Sequence, residues 1–207
     1  MKIDIVDDTP YLGAAFAAYC AEHRDAAFEV GIVASSWTSF AAAWPALSNP
    51  VLCKAELRDH VPAALKVRAL RRLGAPAIVV QHRASPVHER RLLREGAGAV
   101  IDRQSRLVEL IEVIARVASR WSGAEPCPDA TADVLLTDRE LQIAALFCGG
   151  AAPSAHTLGS ALGLSTDTVR AHLARARRRL RALGDNVSSR AGLRRSLIAR
   201  GFLYPEL

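Results

Sequence analysis

Residues 2–10 read KIDIVDDTP, and this stretch decides the fold. Ile3, Ile5 and Val6 make a short apolar run with strand character, and the run ends on two adjacent carboxylates, Asp7 and Asp8. A strand so apolar on both of its faces belongs inside a sheet covered on both sides. Paired acids at its carboxyl end face the place where open α/β sheets build their sites.

The next hundred residues repeat the same alternation. Further strands are predicted at 28–35, 50–55, 76–80 and 98–102, and helices near 10–23, 37–46, 60–73, 86–95 and 105–120. Strands alternating with helices imply parallel crossovers. The predicted fold is therefore α/β with a five-stranded parallel sheet over residues 1–120. The residues closing its third, fourth and fifth strands are Lys54, Gln81 and Arg103.

Residues 121–134, WSGAEPCPDATADV, hold two prolines and several small polar residues and read as a linker. Residues 135–207 carry helical patterns only. Thr137 and Glu140 have the spacing of a capping box. A short helix follows, then a tight turn at Gly163, then a long helix capped by Ser165, and a last amphipathic stretch from 188 to 200.

Along the long helix, Val169, Leu173, Ala176 and Leu180 fall on one narrow stripe. Arg170, Arg175, Arg178 and Arg181 fall on the opposite side with Ala171 and Ala174 between them, and Arg177 and Arg179 lie at the edges. Residues 165–200 hold ten arginines against only Asp167 and Asp185. Arginine's planar fork suits phosphates and guanine edges, and small residues let a helix backbone approach them. Ser165, Thr166 and Thr168 place hydroxyls at the helix start, where a phosphate is favoured. Double-stranded DNA is the expected partner. One short helix reads few base pairs, so a homodimer is expected.

Residues 135–202 resemble the LuxR-type helix-turn-helix of NarL/FixJ response regulators. The resemblance rests on Leu136, Thr137, Arg139 and Glu140, on Ser165, Thr168, Val169 and His172, and on the closing pair Ser189 and Arg190. It implies base reading from Arg170, Ala171 and Ala174, and His172 is either a packing or a phosphate-contact residue. The usual Asn-Lys-Glu of the short helix is replaced by Ala155-His156-Thr157, and the connection at 181–187 is long enough for an extra helical turn.

The same family carries a flavodoxin-like receiver domain, which residues 2–120 resemble in element order, in the Asp7–Asp8 pair and in the stretch EGAGAVI from Glu95 to Ile101. A working receiver needs an aspartate ending strand three, a hydroxyl ending strand four and a lysine ending strand five. Those positions fall on Lys54, Gln81 and Arg103. An ammonium cannot take up a phosphoryl group, and it repels the Mg²⁺ that the acids would hold. Either Lys54 binds Asp7 and Asp8, with Arg103 as a second cation, or it runs to solvent and leaves the acids hydrated. Glu56 and Asp59 are the nearby acids that a shifted alignment would bring into play.

These features imply a transcriptional regulator with a degenerate receiver that takes a small ligand or a protein partner instead of a phosphoryl group. A sigma-factor region-four-like factor bound to RNA polymerase and a protein-binding adaptor are the alternatives. No nucleophile–base pair or phosphate-cradling loop is found, so no enzymatic activity, cofactor or metal is expected. Cys20, Cys53, Cys127 and Cys148 are scattered, as in a reducing cytoplasm. The uncharged run from Val30 to Cys53 is broken by polar residues and two prolines, so no membrane span is expected.

Overall fold

The computed structural model describes residues 1–23, 28–43, 49–59, 61–82, 85–121 and 135–205. Strands β1 (Lys2–Val6), β2 (Glu29–Ala34), β3 (Val51–Lys54), β4 (Ala77–Gln81) and β5 (Ala99–Asp102) form one parallel sheet in the order β2-β1-β3-β4-β5. Helices α1 (Tyr11–Glu22), α2 (Trp37–Ala42), α3 (Ala63–Arg72), α4 (Pro86–Glu95) and α5 (Leu107–Arg120) connect and follow them. Each strand sits within its expected range, give or take a residue. The second helix is described only to Ala43, and most of the linker (122–134) lies outside the described residues.

The alternation of side chains explains why both faces are covered. Val51, Cys53, Ala77 and Val79 face a core closed by Phe40, Val67, Leu70 and Leu92 of α2, α3 and α4. Leu52, Ile78 and Val80 face the other core, with Phe16 of α1 and Leu110, Ile111 and Ile114 of α5. A period of two delivers one set of residues to each side.

Asp4 breaks the apolar pattern of β1, yet it is only 1% exposed. The ladder between β1 and β2 slips between Ile3 and Ile5, and there the Ile32 N–H donates to Asp4 Oδ1 at 2.8 Å. The carboxylate therefore takes over a bond that the slip removes from the ladder. Gly31 lies beside it, and any side chain there would collide with the Asp4 carboxylate.

The C-terminal unit packs α6 (Asp138–Phe147), α7 (Ala155–Leu162), α8 (Thr166–Arg181) and α9 (Arg190–Ala199) around Leu141, Leu158, Val169, Leu173, Leu180 and Leu193. The capping box at its start is formed. Glu140 N–H donates to the Thr137 hydroxyl at 3.3 Å and Thr137 N–H to Glu140 Oε2 at 2.9 Å. The turn between α7 and α8 uses Gly163 at φ +64°, a left-handed conformation open to glycine at little cost. The long helix ends at Arg181, so the connection at 181–187 adds no extra helical turn, and α9 starts at Arg190 behind a Ser189 cap.

The two units dock through α3 and α4. Arg68, 4% exposed, holds Glu95 with two bonds of 2.7 and 3.0 Å, and it donates to Asp138 at 2.8 Å and to the Leu136 carbonyl at 2.9 Å. Arg72 reaches the same Asp138 at 2.6 Å. Arg91 donates to the Arg200 carbonyl at 3.0 Å and covers the Phe202 ring at 4.4 Å. The apolar contact runs in both directions. Ala64 of α3 is buried in the C-terminal core with Leu65 packed against it, while Tyr204 packs against the core of the sheet unit.

Candidate functional site

The sheet order reverses its winding between β1 and β3, so the crevice at their carboxyl ends is the topological switch point. Register pairs Val6 with Cys53, Lys54 with Val80 and Gln81 with Asp102, and the residues expected at the site therefore converge. Lys54 Nζ donates to Asp8 and lies 3.8 Å from Asp7 Oδ1. Partial burial alone would raise the Asp8 carboxyl. The hydrogen bond and charge of Lys54, helped by the Arg58 backbone N–H, hold it below its ordinary value. Asp7 is further engaged by Thr9, whose N–H and hydroxyl both reach its carboxylate, the N–H at 3.0 Å and the hydroxyl at 2.8 Å.

Lys54 therefore does not run to solvent. Arg103 corrects the expectation of a second cation: its side chain is exposed, and among the described residues it makes no ion pair with either acid. The Lys54 ammonium offsets one of the two negative charges, and Arg103 lines the same crevice without pairing with either acid. Gln81 is 3% exposed, and its Oε1 is buried with no hydrogen-bond partner among the described residues. The two nearby acids are committed elsewhere. Glu56 accepts the His82 N–H with both oxygens, at 3.0 and 3.2 Å. Asp59 pairs with the buried Lys66 at 2.9 Å and accepts the Val61 N–H at 3.1 Å. Among the described residues, no cluster of His, Cys, Asp or Glu suits a metal ion.

On the other unit, the α8 stripe is buried as its periodicity implies, with Val169, Leu173, Ala176 and Leu180 all at 4% exposure or less. Arg170, Ala171, Ala174, Arg175 and Arg178 are exposed in the docked molecule. The Ser165 hydroxyl accepts the Thr168 N–H at 3.0 Å and lies 2.8 Å from the Thr168 hydroxyl, so these two side chains shape the helix start. Thr166 is 3.4 Å from His156 of α7. Arg170 pairs with Asp167 at 3.2 Å, and both are well exposed, so the pair adds little stability and is readily exchanged.

Sequence reasoning missed one role of the arginines. Glu140, 2% exposed, needs cations, and Arg175 and Arg179 supply them at 3.6 and 3.3 Å. Arg175 also donates to His172 Nδ1 at 2.9 Å. Burial first, then the Arg175 charge, hold His172 below its ordinary value, which keeps the ring an acceptor for that bond. The available signal was the capping-box carboxylate itself, since a buried glutamate demands a partner. Of the two acids near the arginine face, Asp185 is consumed by Arg200 at 2.6 Å and by the Ser196 hydroxyl at 2.5 Å. The face keeps its positive charge.

The chain thus joins a parallel five-stranded sheet, with Asp7 and Asp8 at its switch point, to a helical unit that includes a helix-turn-helix. Solved structures that share this fold include response regulators. One is RcsB of Salmonella enterica serovar Typhimurium bound to the promoter rprA in the presence of the phosphomimetic BeF₃⁻, with 16% identity and a TM-score of 0.57 over 95% of this chain and 98% of that one. A second RcsB structure, from work on conformational dynamism for DNA interaction, has 16% identity and a TM-score of 0.59 over 97% of this chain and 98% of that one. The receiver domain of TorR, a response regulator of the TMAO respiratory system, is 24% identical with a TM-score of 0.50, over 57% of this chain and 97% of that domain. At these identities the likeness establishes the shared fold. No family model matches the chain, and no curated protein does. Among the described residues no helix is long and apolar enough to cross a membrane.

Proposed function

We propose that the chain is a sequence-specific, DNA-binding transcriptional regulator whose receiver-like domain works without phosphorylation. The observation that carries the reading is the α8 surface: a fully buried apolar stripe behind, and an exposed arginine face with alanines between the arginines in front. Such a helix enters a major groove with its backbone close to the base edges. Arg170 reads a base, Ala171 and Ala174 offer apolar contact to a thymine methyl, and Arg178 meets phosphate. RcsB, which shares the fold, is bound to promoter DNA in two of its structures, which supports the same partner for this chain. The protein acts as a homodimer on two half-sites.

The receiver half of the proposal rests on Lys54. Its ammonium stands at the position that the resemblance assigns to the phosphoacceptor carboxylate, and it pairs with the two acids that would hold Mg²⁺. The sheet domain upstream favours a regulator over a sigma-type factor, whose helix-turn-helix would follow helical promoter-binding regions.

A titration of the full chain against promoter fragments, with and without a small phosphodonor and Mg²⁺, tests both halves together. Selective binding indifferent to the donor is expected. Binding that appears only with the donor would overturn the phosphorylation-independent reading. Arg170→Ala should weaken the preferred site by about 1–3 kcal/mol and relax preference at one position, whereas Arg178→Ala should weaken all sequences alike and flatten the salt dependence. Equal behaviour of the two variants would refute the assignment of Arg170 to base reading.

A further inference from the structure

A crevice of about 250 Å³ opens at the carboxyl ends of the strands, beside helices α1 and α5. Register decides which side chains point toward it. Ile5, Leu52 and Ile101 face the core closed by Phe16 of α1 and Ile114 of α5. Side chains alternate along a strand, so Asp7, Lys54 and Arg103, each two residues further on, point to that same side. The strand geometry reaches that far. The Asp7 N–H still donates to the Ala34 carbonyl at 3.0 Å, and the Arg103 N–H to the Gln81 carbonyl at 2.8 Å. Leu12, Ala15, Val80, Leu107 and Leu110 supply an apolar wall.

Charge in the crevice is unmet at two points. Lys54 donates to Asp8, whereas Asp7 lies 3.8 Å from that ammonium and takes its hydrogen bonds from the neutral Thr9. Glu56 and Asp102 also border the crevice, and each is held by a backbone N–H, of His82 and of Gln104, rather than by a cation. Acid is therefore in excess on one side. Arg103 carries the opposite charge, and its guanidinium makes no hydrogen bond or ion pair among the described residues. An uncharged molecule leaves both charges unmet, and a simple anion or cation satisfies one while the other repels it. A zwitterion satisfies both. Resting on the reading that this unit works without phosphorylation, we propose that the crevice binds a free α-amino acid with an apolar side chain. Arg103 takes the carboxylate with its planar fork. The ammonium turns toward Asp7 and Glu56, and the side chain lies on Leu12, Leu107 and Leu110. An apolar cavity of roughly 150 Å³ accepts benzene, so this larger one holds a branched or aromatic side chain together with its charged head.

Calorimetric titration of the full chain with L-leucine and L-phenylalanine, with neither DNA nor phosphodonor present, tests the site. At least one of the two should saturate a single site. Its N-acetyl form, which lacks the ammonium, and its amide, which lacks the carboxylate, should each bind about tenfold more weakly. Arg103→Gln should cost the free amino acid a similar factor and leave binding of the amide unchanged. Circular dichroism checks the fold of this variant, and the two blocked forms decide alone should it not fold. No saturable heat with either amino acid, blocked forms that bind as tightly as the free one, or a free amino acid indifferent to Arg103→Gln would each refute this ligand class. Neither α8 nor a phosphoryl group takes part in the titration, so its failure is distinct from failure of either half of the proposed function.

Discussion

At the scale of single residues, Lys54 is where the chain departs furthest from a phosphate-transferring receiver. Its side chain and that of Asp8 are 15% and 16% exposed, so removing the ammonium strands two carboxylates in a largely water-poor crevice. Lys54→Ala should therefore cost about 3–5 kcal/mol, the range for breaking a buried pair from one side. Urea unfolding at neutral pH measures it, and an unchanged midpoint would show that the acids are hydrated instead. Lys54 was legible in the sequence because strand ends can be placed by pattern, and the residue type at that end states the chemistry. Asp4 was not. Its partner is a backbone N–H on another strand, freed by a slip in register that no local pattern announces.

At the scale of elements, the period of α8 foretold its buried stripe and open face, and the capping box foretold where α6 starts. The docking of α3 and α4 onto the helical unit was not foreseen. Arg68 and Asp138 are far apart in the chain and meet only in three dimensions, and a helix bearing arginines reads as a solvated surface from periodicity alone. Burial would weaken the Arg68 charge, but its bonds to Glu95 and Asp138 outweigh that and hold the guanidinium above its ordinary value. Arg68→Ala leaves Glu95 buried without its bidentate partner and should cost about 3–5 kcal/mol. The same substitution frees Asp138 and the Leu136 carbonyl at the start of α6. Small-angle scattering should then show the two units separating, with a larger radius of gyration than the unaltered chain.

For the whole molecule, acid is the lever that acts on all these links together. Asp8, Asp138 and Asp185 lie below their ordinary value of 3.8 in the folded chain, each through cations that outweigh the effect of burial. A carboxyl shifted this way contributes stability above its unfolded value, and that contribution is lost as pH falls through the folded one. The melting temperature should therefore stay level from neutral pH toward the ordinary value of 3.8 and drop below it. A midpoint that rises with acid would contradict these ion pairs. Docking also leaves the arginine face of α8 in solvent, so the molecule need not come apart to expose it.

Tyr204 seated against one core and Ala64 within the other have a consequence for how such a chain changes over generations. Units that meet only at a polar surface can be traded between proteins by recombination, each carrying its own interior along. Here each half completes its interior with a side chain from the other. Swapping either one for a counterpart from elsewhere would leave a gap in the half that stayed, so the two are best inherited as a pair.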